Sequence, residues 1–273
     1  MRERFIVLMD FSEEPENLIR YAAGWAERVA AELVFVQKTT ALIPGLADAE
    51  TKRMLLEKTN AEDTEKLKAM VERIVSPVVR TSYSVTDESV QQRLHRLLEE
   101  DYHHLVFIGL KRVGLLEKWL VGSKPLRIIE NTPDIFVAIP EDISRFSHGK
   151  VFVGIAAEHP LNVLEFRKLL GFLDPADIEI IFFHLAKPDE NVEKETALLQ
   201  KLSQAFAADF TTDFKIYEGN SAFDDIRKVI NNKIEEILVV QEGSRLLSDR
   251  LFRRFLINDL IYEGRTPLII LPE

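Results

Sequence analysis

The chain has 273 residues, of which 46% are hydrophobic and 29% are charged, and its net charge at pH 7 is −10. This composition is typical of a folded protein in water. No apolar run reaches the ~18 residues of a membrane-crossing helix. The negative net charge disfavours binding to nucleic acid. The sequence has no cysteine, which excludes disulfides, thiol catalysis and thiolate metal sites, and no signal-peptide pattern, so we expect a cytoplasmic location.

Short apolar runs alternate with helical stretches along the first half of the chain. Residues 5–10 are the first predicted strand, and residues 17–31 the first predicted helix, whose inner stripe includes Trp25, a residue expected in the core or at an interface. Further strands are predicted at 32–37, 78–85, 104–109 and 134–140, and further helices at 51–76, 88–100 and 125–130. This alternation predicts an α/β fold with a parallel, doubly wound sheet.

The second half of the chain repeats the order of the first. Strands are predicted at 151–156, 178–184, 214–217, 237–241 and 268–271, and helices at 162–172, 192–208, 222–232 and 249–262. The repeat predicts two tandem doubly wound parallel sheets of five strands, each with helices on both faces. We expect domains at residues 1–141 and 150–273, joined by a short, polar linker that keeps them side by side.

The carboxyl edge of the first predicted sheet carries residues suited to a ligand. Open parallel sheets bind ligands beyond the carboxyl ends of their strands. Asp10 ends the first strand, Gln37 ends the second, and a glycine-bearing loop runs from Gly109 to Lys124 after the fourth. Glycines and a helix start near Ser123 would offer backbone N–H groups to an anion, and Lys124 would add positive charge. The loop is therefore a candidate phosphate site.

Several of these residues also have a purely structural interpretation. Asp10 could serve as an acid near the N-terminus of the following helix, and the glycines could serve loop geometry alone. His103 and His104 are interpreted as a surface pair rather than a metal site, because no ligand set stands beside them. His184, at the end of a predicted strand, is interpreted as structural.

Three features of the sequence are similar to those of a known protein family. They are residues 7–13 (VLMDFSE), the spacing Gly109-x2-Arg112-x9-Gly122-Ser123, and a Thr-Pro pair before the last strand of each half. Together they resemble the universal stress protein family, in a tandem arrangement that covers the whole chain and has a degenerate second domain. The resemblance implies a fold like that of the adenine nucleotide alpha hydrolases.

The resemblance also implies a nucleotide site. In the family, a G-x2-G-x9-G-[ST] loop wraps the ATP phosphates, the acid after the first strand helps to hold the nucleoside, and adenine rests near the end of the second strand. The implied cofactor-binding residues are Asp10, Val36, Gln37, Gly109, Arg112, Gly122, Ser123 and Lys124.

Two departures from the family pattern limit this implication. Arg112 replaces the second glycine of the loop, where its side chain either obstructs the phosphate path or supplies an anion contact. In the second half, Ala156 replaces Asp10 and Gln241 replaces the first glycine. We therefore expect ATP or AMP in the N-terminal domain only, if at all. The main alternatives are a non-catalytic stress-response protein with at most one nucleotide site, and a nucleotide-free structural or protein-interaction module.

Catalysis finds little support in the sequence. It contains no G-x-S-x-G elbow, no G-x-x-x-x-G-K-[ST] loop and no G-x-G-x-x-G after the first strand. We expect no enzymatic activity and no metal site, with a slow ATP hydrolase as a third alternative.

The last strand of each half is apolar. In the family the last strand is the usual pairing edge, and an unpaired apolar edge would invite aggregation. We expect residues 135–139 and 268–271 to flank each other, so that one chain mimics a dimer of single-domain relatives. The sequence leaves open whether two chains form a further homodimer, and it does not identify a protein partner.

Overall fold

The structure, a computed structural model, describes residues 2–12, 15–39, 41, 44, 46–110, 124–156, 158–186, 190–217, 236–244 and 266–273, with backbone alone at 11 and 124–126. The described strands are β1 (Arg2–Leu8), β2 (Glu32–Lys38), β3 (Thr81–Thr86), β4 (Tyr102–Leu110), β5 (Phe136–Pro140), β6 (Lys150–Gly154), β7 (Glu179–Leu185), β8 (Thr211–Tyr217), β9 (Glu236–Gln241) and β10 (Leu268–Leu271). The described helices are α1 (Pro15–Val29), α2 (Ala49–Glu72), α3 (Val90–Leu98), α4 (Lys124–Glu130), α5 (Val163–Leu170) and α6 (Glu193–Phe206).

The described strands form one ten-stranded sheet in the order β3-β2-β1-β4-β5-β10-β9-β6-β7-β8. Neighbours within each half are parallel, which confirms the predicted α/β class and the five parallel strands of each unit. At the centre, β5 and β10 pair antiparallel, with Ala138 opposite Leu268 and Phe136 opposite Ile270. The predicted contact between the two last strands is therefore confirmed, and it joins the two units into one continuous sheet.

The antiparallel pairing of β5 with β10, which we call the seam, determines at which edge of the sheet each half can bind a ligand. Because β5 and β10 run in opposite directions, the carboxyl ends of the first five strands and those of the last five lie at opposite edges of the sheet.

A hydrophobic cluster covers each face of the sheet and extends through both halves. Strand residues alternate between the faces, so that Phe5 and Val7 join one cluster while Ile6 and Leu8 join the other. Helices α1, α2, α5 and α6 pack on the first face, and α3 and α4 on the second. The prediction of helices on both faces is thus confirmed for the first half, and the helices predicted at 222–232 and 249–262 lie outside the described residues.

The linker between the halves, residues 141–149, is polar in composition but is anchored to α1 by an apolar side chain. Phe146 and Ile143 are each only 4% exposed. The Phe146 ring stacks on Trp25 with 4.5 Å between ring centroids and 7° between planes. Trp25 Nε1 also donates a hydrogen bond of 2.7 Å to the carbonyl oxygen of Phe172, across the seam. Trp25 is therefore both a core residue and an interface residue.

The amino edges of the two halves repeat the same ion pair. Arg4 on β1 lies opposite Glu32 on β2, with 2.6 Å between Nε and Oε1, and Lys150 on β6 lies opposite Glu179 on β7, with 2.7 Å between Nζ and Oε2. The equivalence of the two strand pairs therefore extends to individual side chains. None of the described helices is long and apolar enough to cross a bilayer.

Candidate functional site

Asp10 lies at the carboxyl edge of the first half, where β1 passes into a 3-10 turn at Met9–Phe11. Its Oδ2 accepts a hydrogen bond of 2.8 Å from the backbone N–H of Lys38, the last residue of the neighbouring strand β2. A carboxylate that accepts from a backbone N–H forms a charge-assisted bond, which is stronger than a neutral one. Asp10 therefore links the ends of two strands while its side chain stays exposed to solvent.

Val36 and Gln37, the residues predicted near the adenine, end up beside Asp10. Val36 pairs with Leu8 in the β1–β2 register and is fully buried, and Gln37 is half-buried at the carboxyl edge. The structure thus brings three of the predicted site residues to one edge of the sheet: an exposed acid, a half-buried amide and a valine that is fully buried in the core.

Gly109 has a packing reason to be a glycine. A Cβ built at this position would lie 2.6 Å from the Cβ of Ser12 and 2.7 Å from its Oγ, well inside van der Waals contact. The end of β4 can therefore approach the segment after β1 only without a side chain. Ser12 lies within the motif at residues 7–13 but is not among the site residues that the family resemblance implies.

The remaining predicted site residues are mostly beyond what the structure describes. Arg112, Gly122 and Ser123 lie outside the described residues, as does the side chain of Lys124. The backbone of Lys124 begins α4.

The end of β2 is also held by helix α2, through a contact that the sequence did not predict. The buried Thr39 hydroxyl donates a hydrogen bond of 2.6 Å to Asp63 Oδ2 on α2, and this bond lowers the pKa of the Asp63 carboxyl. The backbone N–H of Thr39 also donates to the carbonyl oxygen of Thr86 at 2.8 Å. Nothing in the local pattern around Asp63 distinguishes it from the other charged residues of α2.

The carboxyl edge of the second half is filled by its own side chains. Gln241, at the position of Gly109, is only 4% exposed, and its Oε1 accepts from the backbone N–H of Asn162 at 2.9 Å. Its Nε2 donates to the carbonyl oxygen of Pro272. Asn162 in turn caps α5, accepting from the backbone N–H of Glu165 at 3.2 Å. This network occupies the place where the first half has an unsubstituted glycine.

A polar cavity lies at the seam, at the opposite edge of the sheet from Asp10. It measures about 260 Å³, and His103, His104, Asp134, Glu165 and Lys168 are among its lining residues. The surface-pair interpretation is wrong for His104, which is only 8% exposed and whose Nε2 has no hydrogen-bond partner among the described residues. Burial lowers the pKa of His104 to about 4 and raises the pKa of Asp134 to about 6.

Comparison with known proteins shows which family the first half resembles in sequence. Residues 1–134 match the profile of the universal stress protein family. The whole chain is similar to a universal stress protein from Archaeoglobus fulgidus, with 14% identity, a TM-score of 0.60 and coverage of 99% of this chain and 96% of that one. It is also similar to a putative universal stress protein from Pseudomonas aeruginosa, with 12% identity, a TM-score of 0.53 and coverage of 99% and 93%.

A third similar structure has a different description. The cytoplasmic domain of a prokaryotic cation chloride cotransporter shows 12% identity, a TM-score of 0.52 and coverage of 100% of this chain and 96% of that one. At identities this low, these likenesses show the fold, here over nearly the full length of each pair of chains. A comparison with curated proteins gave no match.

Proposed function

Because residues 1–134 belong to the universal stress protein family, we propose that this is a non-catalytic stress-response protein with at most one adenine-nucleotide site. The site would lie at the carboxyl edge of the first half. Family membership supports the stress-response role, and the nucleotide site is argued from the geometry of the described residues.

The observation that carries the proposal is the position of Asp10. Its carboxylate is held at 2.8 Å by the backbone N–H of Lys38, so that it stands exposed beside Val36 and Gln37. A carboxylate accepts hydrogen bonds from ribose hydroxyls, and the half-buried amide of Gln37 can pair with the edge of a purine. The bond to Lys38 fixes the acid before any ligand arrives, which lowers the entropic cost of binding.

The described residues of the second half do not offer an equivalent site. Ala156 has no carboxylate to hold a ribose, and the Gln241 side chain occupies the position of Gly109. A nucleotide there would have to displace Gln241 from buried hydrogen bonds to Asn162 and Pro272, and each broken bond leaves a buried polar group unpaired.

One observation favours the alternative, a nucleotide-free interaction module. The tight contact between Gly109 and Ser12 explains the glycine without a ligand. Under this alternative the carboxyl edge of the first half keeps the family residues for packing alone, and Arg112 obstructs the phosphate path.

A thermal-shift titration of the full chain with ATP, AMP and cyclic AMP tests the proposal. A ligand at 100 times its Kd stabilises the folded state by about 2.7 kcal/mol, which is a measurable rise in Tm. We expect ATP to raise the Tm, Asp10→Asn to reduce the effect, and Glu158→Gln to leave it unchanged. Glu158 is an exposed carboxylate in the turn after β6, at the carboxyl edge of the second half, and serves as the matched control.

Variants of Arg112 separate the two hypotheses. Weaker ATP binding by Arg112→Ala would show that the guanidinium is a phosphate ligand. If the wild-type Tm does not move at millimolar ATP while Arg112→Gly acquires binding, the loop is obstructed and the interaction module replaces our proposal.

A further inference from the structure

His184 is held at the carboxyl edge of the second half in an orientation that suits a metal ligand. The residue lies near the end of β7 and is only 2% exposed. Its Nδ1 lies 2.8 Å from the carbonyl oxygen of Ile155. Because a carbonyl oxygen only accepts hydrogen bonds, Nδ1 carries a proton, and in a neutral ring this leaves the lone pair on Nε2, which points the other way. Histidines that bind metals through Nε2 are commonly oriented by such a bond from Nδ1.

The carboxylate of Glu190 faces that second nitrogen, and the carboxylate of Glu195 lies nearby. Glu190 Oε1 lies 3.0 Å from His184 Nε2, and one carboxylate oxygen of Glu195 completes a group whose three ligand atoms lie within 4.8 Å of one another. In tetrahedral zinc sites the metal lies about 2.0–2.1 Å from each nitrogen or oxygen ligand, which places the ligand atoms about 3.3 Å apart. The 3.0 Å between His184 Nε2 and Glu190 Oε1 is the length of an ordinary ion pair when the ring is protonated, and it is also close to the spacing of two ligands on one ion.

We propose that His184, Glu190 and Glu195 bind a divalent zinc ion. The neutral imidazole and two carboxylates carry a charge of −2, which a zinc ion would neutralise, and the mixed nitrogen and oxygen ligand set suits zinc. Magnesium and calcium prefer oxygen ligands alone, so the histidine argues against them. Three protein ligands leave the fourth position of the ion open to water.

A structural role is the competing explanation for Glu195. Glu193 and Glu195 both lie in the first turn of α6, where a negative charge interacts favourably with the helix dipole. That role would be shared equally by the two residues, but Glu195 belongs to the cluster with His184 and Glu193 does not. Glu193 is exposed, in the same turn and of the same chemistry, so it provides a matched control.

The proposed zinc site is separate from the proposed nucleotide site. Arg4 pairs with Glu32 as Lys150 pairs with Glu179, so His184 occupies the register position of Gln37 in the first half. The two positions lie at opposite edges of the ten-stranded sheet. The zinc site therefore stands whether or not the first half binds ATP.

Zinc titration of the full chain tests the inference. The protein is first freed of metal with a chelator, and zinc is then titrated against a chromophoric competitor. We expect one zinc ion per chain in the wild type and in Glu193→Gln, and affinity weakened by more than about tenfold in Glu190→Gln and in Glu195→Gln. Failure of the wild type to bind at micromolar zinc would overturn the inference, and so would binding unchanged in both ligand variants.

The change in Tm on adding zinc distinguishes metal binding from a helix-dipole role, because an acid that only stabilises the helix would not make the Tm depend on zinc. Zinc should raise the Tm of the wild type and of Glu193→Gln, because it binds the folded state, and should have little effect on Glu195→Gln. Equal destabilisation of Glu193→Gln and Glu195→Gln, with no zinc effect on any of the proteins, would show that these acids only stabilise the helix.

Discussion

Replacement of Gly109 by alanine tests how closely β4 packs against the segment after β1. The added methyl carbon would lie 2.6 Å from the Ser12 Cβ and 3.0 Å from its Cα. Carbon atoms in van der Waals contact lie about 3.5–4.0 Å apart, so the two segments would have to separate by about 1 Å. The backbone of Gly109 does not have a positive φ, so the cost of Gly109→Ala is steric alone.

The size of this effect follows from the behaviour of overpacked cores. Inserting one methyl group into a well-packed site typically costs about 1–3 kcal/mol. In proteins of about 150–250 residues, each kcal/mol lowers the Tm by roughly 2–4 °C. We therefore expect Gly109→Ala to unfold several degrees below the wild type in differential scanning calorimetry, and at a lower urea concentration with an unchanged m value.

A second substitution identifies the atoms responsible. Ser12→Gly removes the Cβ and Oγ that the new methyl group would meet, so the double variant should be more stable than the sum of the single effects predicts. Additive effects, or a Gly109→Ala protein as stable as the wild type, would refute the packing explanation. A double variant that regains stability but does not bind ATP would show that Gly109 also contacts the ligand.

Three further predictions concern the seam. Trp25→Phe should cost about 1–3 kcal/mol in urea unfolding, because the buried carbonyl of Phe172 loses its donor; an unchanged midpoint would contradict this. Phe146→Ala should cost about 3–5 kcal/mol if the linker is anchored in the core, whereas a free linker would tolerate the change. Burial raises the pKa of Asp134 from 3.8 to about 6, so its contribution to stability is fully present below pH 3.8 and is lost as the pH rises through 6. Asp134→Asn should therefore match the wild-type Tm near pH 4 and exceed it increasingly toward pH 7; parallel Tm curves for the two proteins would contradict the raised pKa.

Much of the fold could be predicted because the spacing of the apolar residues indicates which positions are buried, and the internal repeat gives the same order of elements twice. Residues 32–37 and 178–184 are apolar runs of strand length, and the strands β2 and β7 agree with them to within one residue at each end. The pairing of the two last strands could be predicted because both are apolar and would aggregate as edges. The first strand ends two residues earlier than predicted, since the chain turns at Met9 so that Asp10 can reach the N–H of Lys38.

The rest depends on contacts between residues that are distant in sequence. Nothing near Asp63 indicates that it receives the Thr39 hydroxyl, because the two residues meet only after α2 has packed on the sheet. His104 was interpreted as part of a surface pair because no ligand set for a metal stands beside it in the sequence. On a strand, neighbouring side chains point to opposite faces, and His104 is buried while His103 is exposed. The burial of Phe146 could not be predicted from the linker sequence either, because its stacking partner Trp25 is distant in sequence, in α1.

The antiparallel seam explains how one half can lose residues that the other keeps. Each carboxyl edge is built from the strands of its own half, so Ala156 and Gln241 can differ from Asp10 and Gly109 without touching them. Residues of the two hydrophobic clusters cannot change so independently. Both clusters extend across the seam, so a change of side-chain volume in one half disturbs the packing of the other. Shared packing therefore keeps the apolar strands of the two halves similar, while the residues at their carboxyl edges are free to differ.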